Sequence, residues 1–265
     1  MAGWHGLGAG RAGAGSEGTG GMALKVEAVP CLQDNYLWLL RDGPTGAVAV
    51  CDPGEADPAI AAVEAAGGRL DTILLTHHHG DHVGGVAALK ARFPAAQVVG
   101  AALDAHRPPP LDLVVKDGDL VSLGAARAEV LHLPGHTTGH IAFHFAADHV
   151  LLCGDVIFGL GCGRPLEAGG MAALWHSLQR VAKLPVNTRL CCGHEYSEAN
   201  ARFALHLDPD NAALKAEAEA AGALRAAGRP SVPTTLAQEL AANPFLRAPD
   251  LAEFTARREA KNHFR

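Results

Sequence analysis

Short apolar runs separated by turn residues fill the first two thirds of the chain, and each has the length of a β-strand. The strands are predicted at 25–29, 36–40, 47–51, 120–123, 128–133, 141–145, 150–153 and 189–192. Alanine-rich or amphipathic segments predict helices at 59–66, 83–92 and 171–184. The first three strands are expected to be antiparallel. Strands that alternate with helices predict mixed sheets covered by helices.

The pattern changes after Tyr196, where helical segments replace the strand-like runs. Helices are predicted at 197–207, 211–227 and 251–261, and Thr235-Leu236-Ala237-Gln238 has the spacing of a capping box that begins another helix. We therefore expect a mixed domain at residues 22–196 and a small helical domain at residues 197–265.

Residues 1–21 consist mostly of Gly and Ala, and this composition predicts a disordered N-terminal extension. Met22 stands directly before the first predicted strand. An upstream start codon or an expression leader therefore explains the segment better than a targeting peptide does.

Metal-binding side chains concentrate in the stretch Thr76-His77-His78-His79-Gly80-Asp81-His82. It lies between a predicted buried strand at 70–75 and the predicted helix at 83–92, which is not where a polyhistidine tag would stand. In extended backbone, alternate side chains point the same way, so His77 and His79 can converge on one ion while His78 points elsewhere. Asp81 and His82 are displaced along the chain and suit a second ion. These ligand types favour zinc or a similar first-row metal.

Three further candidate ligands follow predicted strands, and each has a glycine directly before it. They are His136 after 128–133, Asp155 after 150–153 and His194 after 189–192. Glycine frees the backbone beside each side chain. Together with the four in the first stretch they make seven, the number needed by two adjacent ions that share a carboxylate.

The pattern T-H-x-H-x-D-H resembles the signature of the metallo-β-lactamase superfamily, whose members share an αββα sandwich. The resemblance implies an α+β fold of that type, followed here by the small helical domain. By resemblance to the binuclear members, one ion would be held by His77, His79 and His136. The other would be held by Asp81, His82 and His194, with Asp155 bridging the two.

In those members the two cations lower the pKa of a shared water, which gives a hydroxide nucleophile at neutral pH. The resemblance therefore assigns catalytic roles to Asp81 and Asp155 as well as ligand roles. The cofactor is expected to be two divalent metal ions, zinc in the first place, with iron and manganese as alternatives.

A more specific resemblance covers the chain from about Met22 to its C-terminus. The matching segments are Gln33-Asp34-Asn35-Tyr36, Gly161-Cys162-Gly163-Arg164, His194-Glu195-Tyr196, 232–236, 243–247 and 258–264. Together they are similar to the glyoxalase II (hydroxyacylglutathione hydrolase) family. The resemblance implies hydrolysis of S-(2-hydroxyacyl)glutathione, typically S-D-lactoylglutathione to glutathione and D-lactate, the second step of methylglyoxal detoxification.

The same resemblance implies which residues bind the glutathione thioester. Tyr196 would hydrogen-bond the tripeptide, Arg164 would line its cysteinyl portion, and Arg258 and Lys261 would bind the glycine carboxylate. The spacing of three places Arg258 and Lys261 on one helix face, which permits them to act together. The alternative is a solvated helix face, the commonest surrounding of such a pair. The family usually has an aromatic residue two positions after the basic one, where this chain has Leu166. Leu166 is therefore expected to contact the substrate in place of that aromatic residue, with weaker glutathione binding or a broader acyl pocket as the consequence.

The composition excludes several other partners. A net charge of −6 gives no support for a nucleic-acid or anionic-membrane surface, and no apolar stretch reaches the length of a membrane span. The six cysteines show no C-x-x-C pair or disulfide spacing, which favours reduced thiols in the cytoplasm. We expect a monomer that binds a small molecule.

Other functions stay open on sequence alone. A mononuclear iron glutathione-persulfide dioxygenase shares the fold, but seven ligands and the helical domain favour the hydrolase. The acidic balance and the absence of a cysteine ligand beside Asp155 argue against a nuclease or lactamase. A glutathione-sensing module without turnover would be consistent with Leu166 but not with a complete ligand set.

Overall fold

The computed structural model describes residues 24–167 and 169–264, so the predicted extension at 1–21 lies outside the described residues. The strands are β1 (Leu24–Cys31), β2 (Asn35–Asp42), β3 (Val48–Cys51), β4 (Thr72–Leu74), β5 (Gln97–Ala101), β6 (Leu113–Val115), β7 (Leu120–Leu123), β8 (Ala126–His132), β9 (Ile141–Phe145), β10 (Val150–Gly154), β11 (Ile157–Phe158), β12 (Gly161–Cys162), β13 (Arg189–Cys192) and β14 (Thr234–Thr235). The α-helices are α1 (Ala56–Ala65), α2 (Gly80–Val83), α3 (Val86–Arg92), α4 (Gly170–Val181), α5 (Ser197–Leu207), α6 (Ala212–Ala226), α7 (Leu236–Ala242) and α8 (Leu251–His263).

The first sheet has the strand order β1-β2-β3-β4-β5-β6. Its first three strands are antiparallel, as predicted, whereas β3 through β6 are parallel. One face carries an apolar cluster that includes Val63 of α1 and Leu89 of α3, together with Val50 and Ile73 of the sheet. These two helices therefore cover that face.

The second sheet has the order β14-β13-β10-β9-β8-β7. A large apolar cluster joins it to the first sheet through fully buried side chains such as Trp38 of β2 and Phe143 of β9. The same cluster contains Leu174 and Leu178 of α4, and Trp175 of α4 packs against Phe254 of α8 at 5.4 Å between ring centroids. The αββα sandwich is confirmed.

The predicted helix over 83–92 is interrupted, because the chain forms α2 and α3 with a break at Gly84-Gly85. A Cβ added to Gly84 would lie 2.6 Å from the carbonyl oxygen of Gly54, and one added to Gly85 would lie 2.8 Å from that of Pro53. The backbone therefore crosses the turn after β3 too closely for any side chain. This crossing places Asp81 and His82 on their own short turn, directly after the histidine run.

The helical C-terminal region also contributes to the second sheet, since β14 pairs with β13. The capping box at the start of α7 is confirmed, with Thr235 and Gln238 each bonding the other's backbone N–H. Leu236 of α7 and Phe245 after it belong to the apolar cluster between the sheets. The boundary at residue 196 stays a prediction.

Candidate metal centre

The predicted ligands meet at one edge of the sandwich, where β4, β10 and β13 end and the chain that follows β8 turns back. The ligand atoms of His77, His79 and His136 lie within 4.8 Å of one another, and so do those of Asp81, His82 and His194. We call these groups the first and second clusters. They have the compositions predicted for the two ions, and Asp155 stands beside both.

The first cluster consists of three imidazole nitrogens that face a common point. Nδ1 of His79 lies 3.0 Å from Nε2 of His77 and 3.0 Å from Nε2 of His136. The remaining nitrogens of two of these rings bond elsewhere, because Nδ1 of His77 donates to Oγ1 of Thr76 at 3.1 Å and Nδ1 of His136 donates to the carbonyl of Arg164 at 2.8 Å. These bonds fix the tautomer that leaves Nε2 free as a ligand.

The second cluster contains a carboxylate and lies against two more. Oδ2 of Asp81 is 3.6 Å from Nε2 of His82 and 3.4 Å from Nε2 of His194. Behind the rings, Nδ1 of His82 donates to Asp52 and Nδ1 of His194 donates to Asp34, both at 3.0 Å. Carboxylate partners of this kind raise the basicity of the ligating nitrogen.

Asp155 lies between the clusters and is 5% exposed. Its Oδ2 is 3.4 Å from Nε2 of His136 and 3.3 Å from Nε2 of His194, and its Oδ1 is 3.5 Å from Nε2 of His82. Its backbone N–H donates to Nε2 of His140 at 3.1 Å, so this buried histidine supports Asp155 through a hydrogen bond. A carboxylate in this place can reach two ions at once.

The electrostatics differ between the clusters. Burial lowers the pKa of His77 well below its usual value and, with the charge of His136, lowers that of His79 to about 4. Burial acts the same way on His194, but hydrogen bonds to Asp155 and Asp81 outweigh it and raise its pKa to about 10. Burial also opposes the charged form of His82, yet Asp155 and Asp52 raise its pKa well above the usual value.

Unsatisfied polar atoms indicate that this site is built for cations. Nε2 of His82 and Oδ1 of Asp155 are buried and have no hydrogen-bond partner among the residues that the structure describes. Orphaned buried groups of this kind are unfavourable unless something binds them. Divalent metal ions fit, because every atom that faces the centre is a lone-pair donor of the type that zinc, iron and manganese accept.

Asp52 supports the centre and is not among the residues that the sequence predicts for it. It accepts from N and Oγ1 of Thr76 at 2.8 and 2.7 Å as well as from His82, and it adopts φ 51° after β3. Asp52 also lies within ligand distance of His77 and His82, but those bonds already occupy its oxygens, so we interpret it as an outer partner. The only signal in the sequence was an acidic residue between a strand and Pro53-Gly54.

Comparison with known proteins shows which families this chain is similar to. Residues 34–194 match the model of the metallo-beta-lactamase superfamily, and residues 195–264 match that of the hydroxyacylglutathione hydrolase C-terminus. A hydroxyacylglutathione hydrolase from Acidiphilium cryptum is 52% identical over 90% of this chain and 96% of its own length. The chain belongs to the hydroxyacylglutathione hydrolase family. The hydroxyacylglutathione hydrolase of Cereibacter sphaeroides (strain ATCC 17025) is 50% identical, over 87% of this chain and 90% of its own.

Solved structures share the fold of this chain. ETHE1 from Myxococcus xanthus superposes with a TM-score of 0.69 at 24% identity, over 90% of this chain and 91% of its own. TTHA1623 in a di-iron-bound form superposes with a TM-score of 0.54 at 30% identity, over 64% of this chain and 91% of its own.

The residues predicted to bind substrate lie in different surroundings. Tyr196 stacks on His194, with ring centroids 4.6 Å apart and planes 6° from parallel, so it reaches the second cluster directly. Arg164 and Leu166 are exposed, and the carbonyl of Arg164 is the partner of His136. Tyr196 and Arg164 therefore adjoin the metal centre, and Leu166 follows two residues after Arg164.

Arg258 and Lys261 already bond within the protein. Arg258 is 6% exposed and donates to the carbonyl of Cys162 at 3.1 Å, and Lys261 donates to that of Ala199 at 3.0 Å. Arg258 therefore does not lie on a solvated helix face, whereas Lys261 is partly exposed, and the hydrogen bonds give both residues a structural role. That they bind the glycine carboxylate stays a prediction.

Proposed function

We propose that the protein hydrolyses S-(2-hydroxyacyl)glutathione thioesters, with S-D-lactoylglutathione as substrate and glutathione and D-lactate as products. The observation that carries the proposal is the convergence of two ligand clusters on one bridging carboxylate, in a chain that belongs to the hydroxyacylglutathione hydrolase family. The reaction would be the second step of methylglyoxal detoxification, carried out by a monomer in the cytoplasm.

The proposed cofactor is a pair of divalent metal ions, with zinc first and iron or manganese as alternatives. The first cluster would hold one ion, the second cluster the other, and Asp155 both. The di-iron-bound form of TTHA1623, which is 30% identical to this chain, supports a binuclear centre. Such a pair supplies an activated water at neutral pH and stabilises negative charge on a carbonyl oxygen.

The residues around the centre have separable tasks. Asp81 is half-exposed, and Asn35 donates to its Oδ2 at 3.1 Å, so the carboxylate is held in place while its edge faces the opening. A hydrogen bond from His194 lowers the pKa of Asp81, which keeps it an acceptor able to orient water. Tyr196, stacked on His194, offers a hydroxyl to the peptide part of the substrate.

The leaving group makes modest demands on the site. A thiolate departs without a strong general acid, so the protein needs no protonated residue beside the sulfur. Recognition of the anionic tripeptide needs donors and cations, which Arg164 provides at the exposed rim and Arg258 and Lys261 provide in the helical region. We propose these three with Tyr196 and Leu166 as the substrate-binding set.

The direct test measures hydrolysis of S-D-lactoylglutathione by the purified full chain. S-D-lactoyl-N-acetylcysteine serves as the matched control, because it keeps the thioester and lacks the rest of the tripeptide. We expect efficient cleavage of the glutathione ester and a much lower kcat/KM for the control. Equal kcat/KM for both would overturn the proposed glutathione recognition. Oxygen consumption with glutathione persulfide and one iron per chain would overturn the hydrolase.

A further inference from the structure

A short β-hairpin with a two-residue turn lies between the metal centre and the C-terminal helices. Ile157 and Phe158 of β11 pair with Cys162 and Gly161 of β12, and Gly159-Leu160 form the turn. A Cβ added to Gly159 would lie 2.4 Å from Oγ of Ser197, and one added to Gly161 would lie 2.3 Å from Nδ2 of Asn200. The hairpin therefore packs directly on α5, with no room for larger residues at these two positions.

The polar backbone groups of this hairpin bond to side chains of the C-terminal region. Leu160 N–H donates to Oε2 of Glu239 at 2.9 Å, and the carbonyl of Gly159 accepts from Nδ2 of Asn200 at 3.0 Å. The carbonyl of Gly161 accepts from Nδ2 of Asn243 at 2.9 Å, and the same amide donates to Glu239 at 2.8 Å. Glu239, Asn200 and Asn243 are all buried.

The other side of the hairpin touches both ligand clusters. The ring of Phe158 meets those of His194 and Tyr196 at 5.8 and 5.2 Å between centroids. The chain leaving β12 carries the Arg164 carbonyl that accepts from His136. Between them, Gly163 lies so close to the carbonyl of Asp155 that a Cβ would be 1.9 Å from its oxygen. A shift of the hairpin would move the supports of His136 and His194 together.

Glu239 places a carboxyl group at a buried position, which is unusual for this residue type. Burying it costs free energy that an apolar residue of similar size would not cost, unless its hydrogen bonds are needed. Its hydrogen bonds run to the hairpin turn, to Asn243 and to the side chain of Thr234, so the group serves mainly to fix the hairpin. Burial raises the pKa of Glu239 to about 7. Because one oxygen accepts from both Leu160 and Asn243, the amide oxygen of glutamine can do the same.

We infer that Glu239, together with Asn200 and Asn243, is a positioning unit that holds the β11–β12 hairpin so that His136 and His194 keep their ligand geometry. The helical region would thus support the metal centre itself in addition to binding substrate. The kinetic part of this inference rests on the proposed function, whereas the metal-binding part rests only on the two clusters.

The test compares four variants of the full chain: Glu239→Ala, Glu239→Gln, Asn200→Ala and Val63→Ala. Val63 is fully buried in α1 on the far face of the first sheet, so its truncation lowers stability without touching the hairpin. The measurements are zinc affinity by competition with a chromophoric chelator, kcat and KM for S-D-lactoylglutathione, and the visible spectrum of the cobalt-substituted protein. The spectrum reports ligand geometry directly.

We expect Glu239→Ala and Asn200→Ala to weaken zinc binding by about 10- to 100-fold, the range typical of lost outer partners. Their cobalt spectra should change, kcat should fall more than KM rises, and Glu239→Gln should recover most of the lost affinity. Val63→Ala should keep the wild-type affinity and spectrum. If Glu239→Ala does not fold, Asn200→Ala, which loses a single hydrogen bond to the hairpin, carries the test.

The inference would be overturned if the folded Asn200→Ala and Glu239→Ala variants kept the zinc affinity and cobalt spectrum of the wild type, even if both variants were less stable. Loss of zinc affinity in Glu239→Ala that Glu239→Gln does not recover would also count against it. If affinity changes as expected but even the wild-type chain does not cleave the thioester, the proposed function fails and the positioning role stands.

Discussion

The two ligand clusters contain similar side chains but differ in what lies behind them. In the first, His77 and His136 donate to a hydroxyl and a carbonyl, which are neutral groups. In the second, His82 and His194 donate to the carboxylates of Asp52 and Asp34. Neutral partners orient a ring, whereas a carboxylate also increases its affinity for a proton or a metal ion.

This difference appears in the pKa values. His77 and His79 have lowered pKa values, so their nitrogens are available at neutral pH. His82 and His194 have raised ones, so an incoming ion must displace protons there. The two halves of the centre are therefore expected to load under different conditions, with Asp155 linking them.

The largest expected effect comes from removing that link. Asp155→Ala takes away a contact to His82, His136 and His194 at once. We expect turnover to fall by more than about 100-fold, beyond the usual cost of losing an outer partner, and metal content to fall below two ions per chain. Metal analysis and thioester kinetics on one sample check this. Normal activity in Asp155→Ala would refute the bridging role.

The second largest effect is expected from a change of pH, which should alter metal affinity differently at the two clusters. The raised pKa of His194, about 10, means that its proton is bound throughout the range from pH 8 to pH 6 in the metal-free chain. Metal binding there must release it, so the affinity should fall by roughly tenfold for each unit that the pH falls, and more steeply where His82, whose pKa is also raised, releases its proton as well. His79, with a pKa of about 4, binds no proton in that range.

The affinity for the first ion should therefore change less between pH 8 and pH 6 than the affinity for the second. Chelator competition at both pH values, together with proton release during titration, measures the difference. Equal pH dependence of the two steps would show that the carboxylates behind the second cluster do not distinguish it.

Asp34→Ala should affect one cluster only. Asp34 is partly exposed and accepts from Nδ1 of His194, so its loss leaves that ring without its partner. We expect the affinity for one of the two ions to fall by about 10-fold or somewhat more while the other is kept. Asp71→Ala is a suitable control, because the carboxylate of Asp71 also accepts a hydrogen bond, here from the backbone N–H of Val48, but lies away from the centre. Loss of both ions would contradict separate clusters.

The smallest effect is expected from Asn35→Ala. Asn35 donates to the backbone oxygen and Oδ2 of Asp81 at 3.2 and 3.1 Å, and it makes no contact with the first cluster. Losing a hydrogen bond to a charged group costs about 1.5–3 kcal/mol, and half-exposure of Asp81 reduces this. We expect a roughly tenfold or smaller loss of affinity for the second ion. An unchanged affinity would mean that the hydrogen bonds from Asn35 do not hold Asp81 in place.

Much of this centre can be predicted from the sequence because its ligands carry local signals. His136, Asp155 and His194 each follow a strand and a glycine, and His77 and His79 share the alternation of extended backbone. The alternation of strands and helices likewise predicts mixed sheets covered by helices, whereas the αββα arrangement comes from the resemblance to the metallo-β-lactamase superfamily. The interruption between α2 and α3 is not predicted, because it depends on contact between Gly84 and the distant Gly54.

The supporting residues could not be found this way, because their roles depend on pairings across the chain. Asp34 meets His194, 160 residues away, and Glu239 meets Leu160, 79 residues away. Glu239 stands in an amphipathic helix, where an acidic residue predicts a solvated face, yet it is buried. Arg258 likewise occupies a helix position that predicts exposure and is 6% exposed.

Among residues 24–167 and 169–264, no helix combines the length and apolarity needed to cross a membrane. The six cysteines are free and buried, and burial raises the pKa of thiols such as Cys162, to about 11, so they are poor nucleophiles. The chemistry of the described residues therefore centres on the imidazoles and carboxylates of the two clusters.

The most direct test of the account is to count metal ions and measure S-D-lactoylglutathione hydrolysis on the same sample, before and after chelation. The account predicts close to two ions per chain, loss of hydrolysis when they are removed, and recovery when zinc is returned. Hydrolysis that persists in the metal-free chain, or full activity with a single ion per chain, would contradict it.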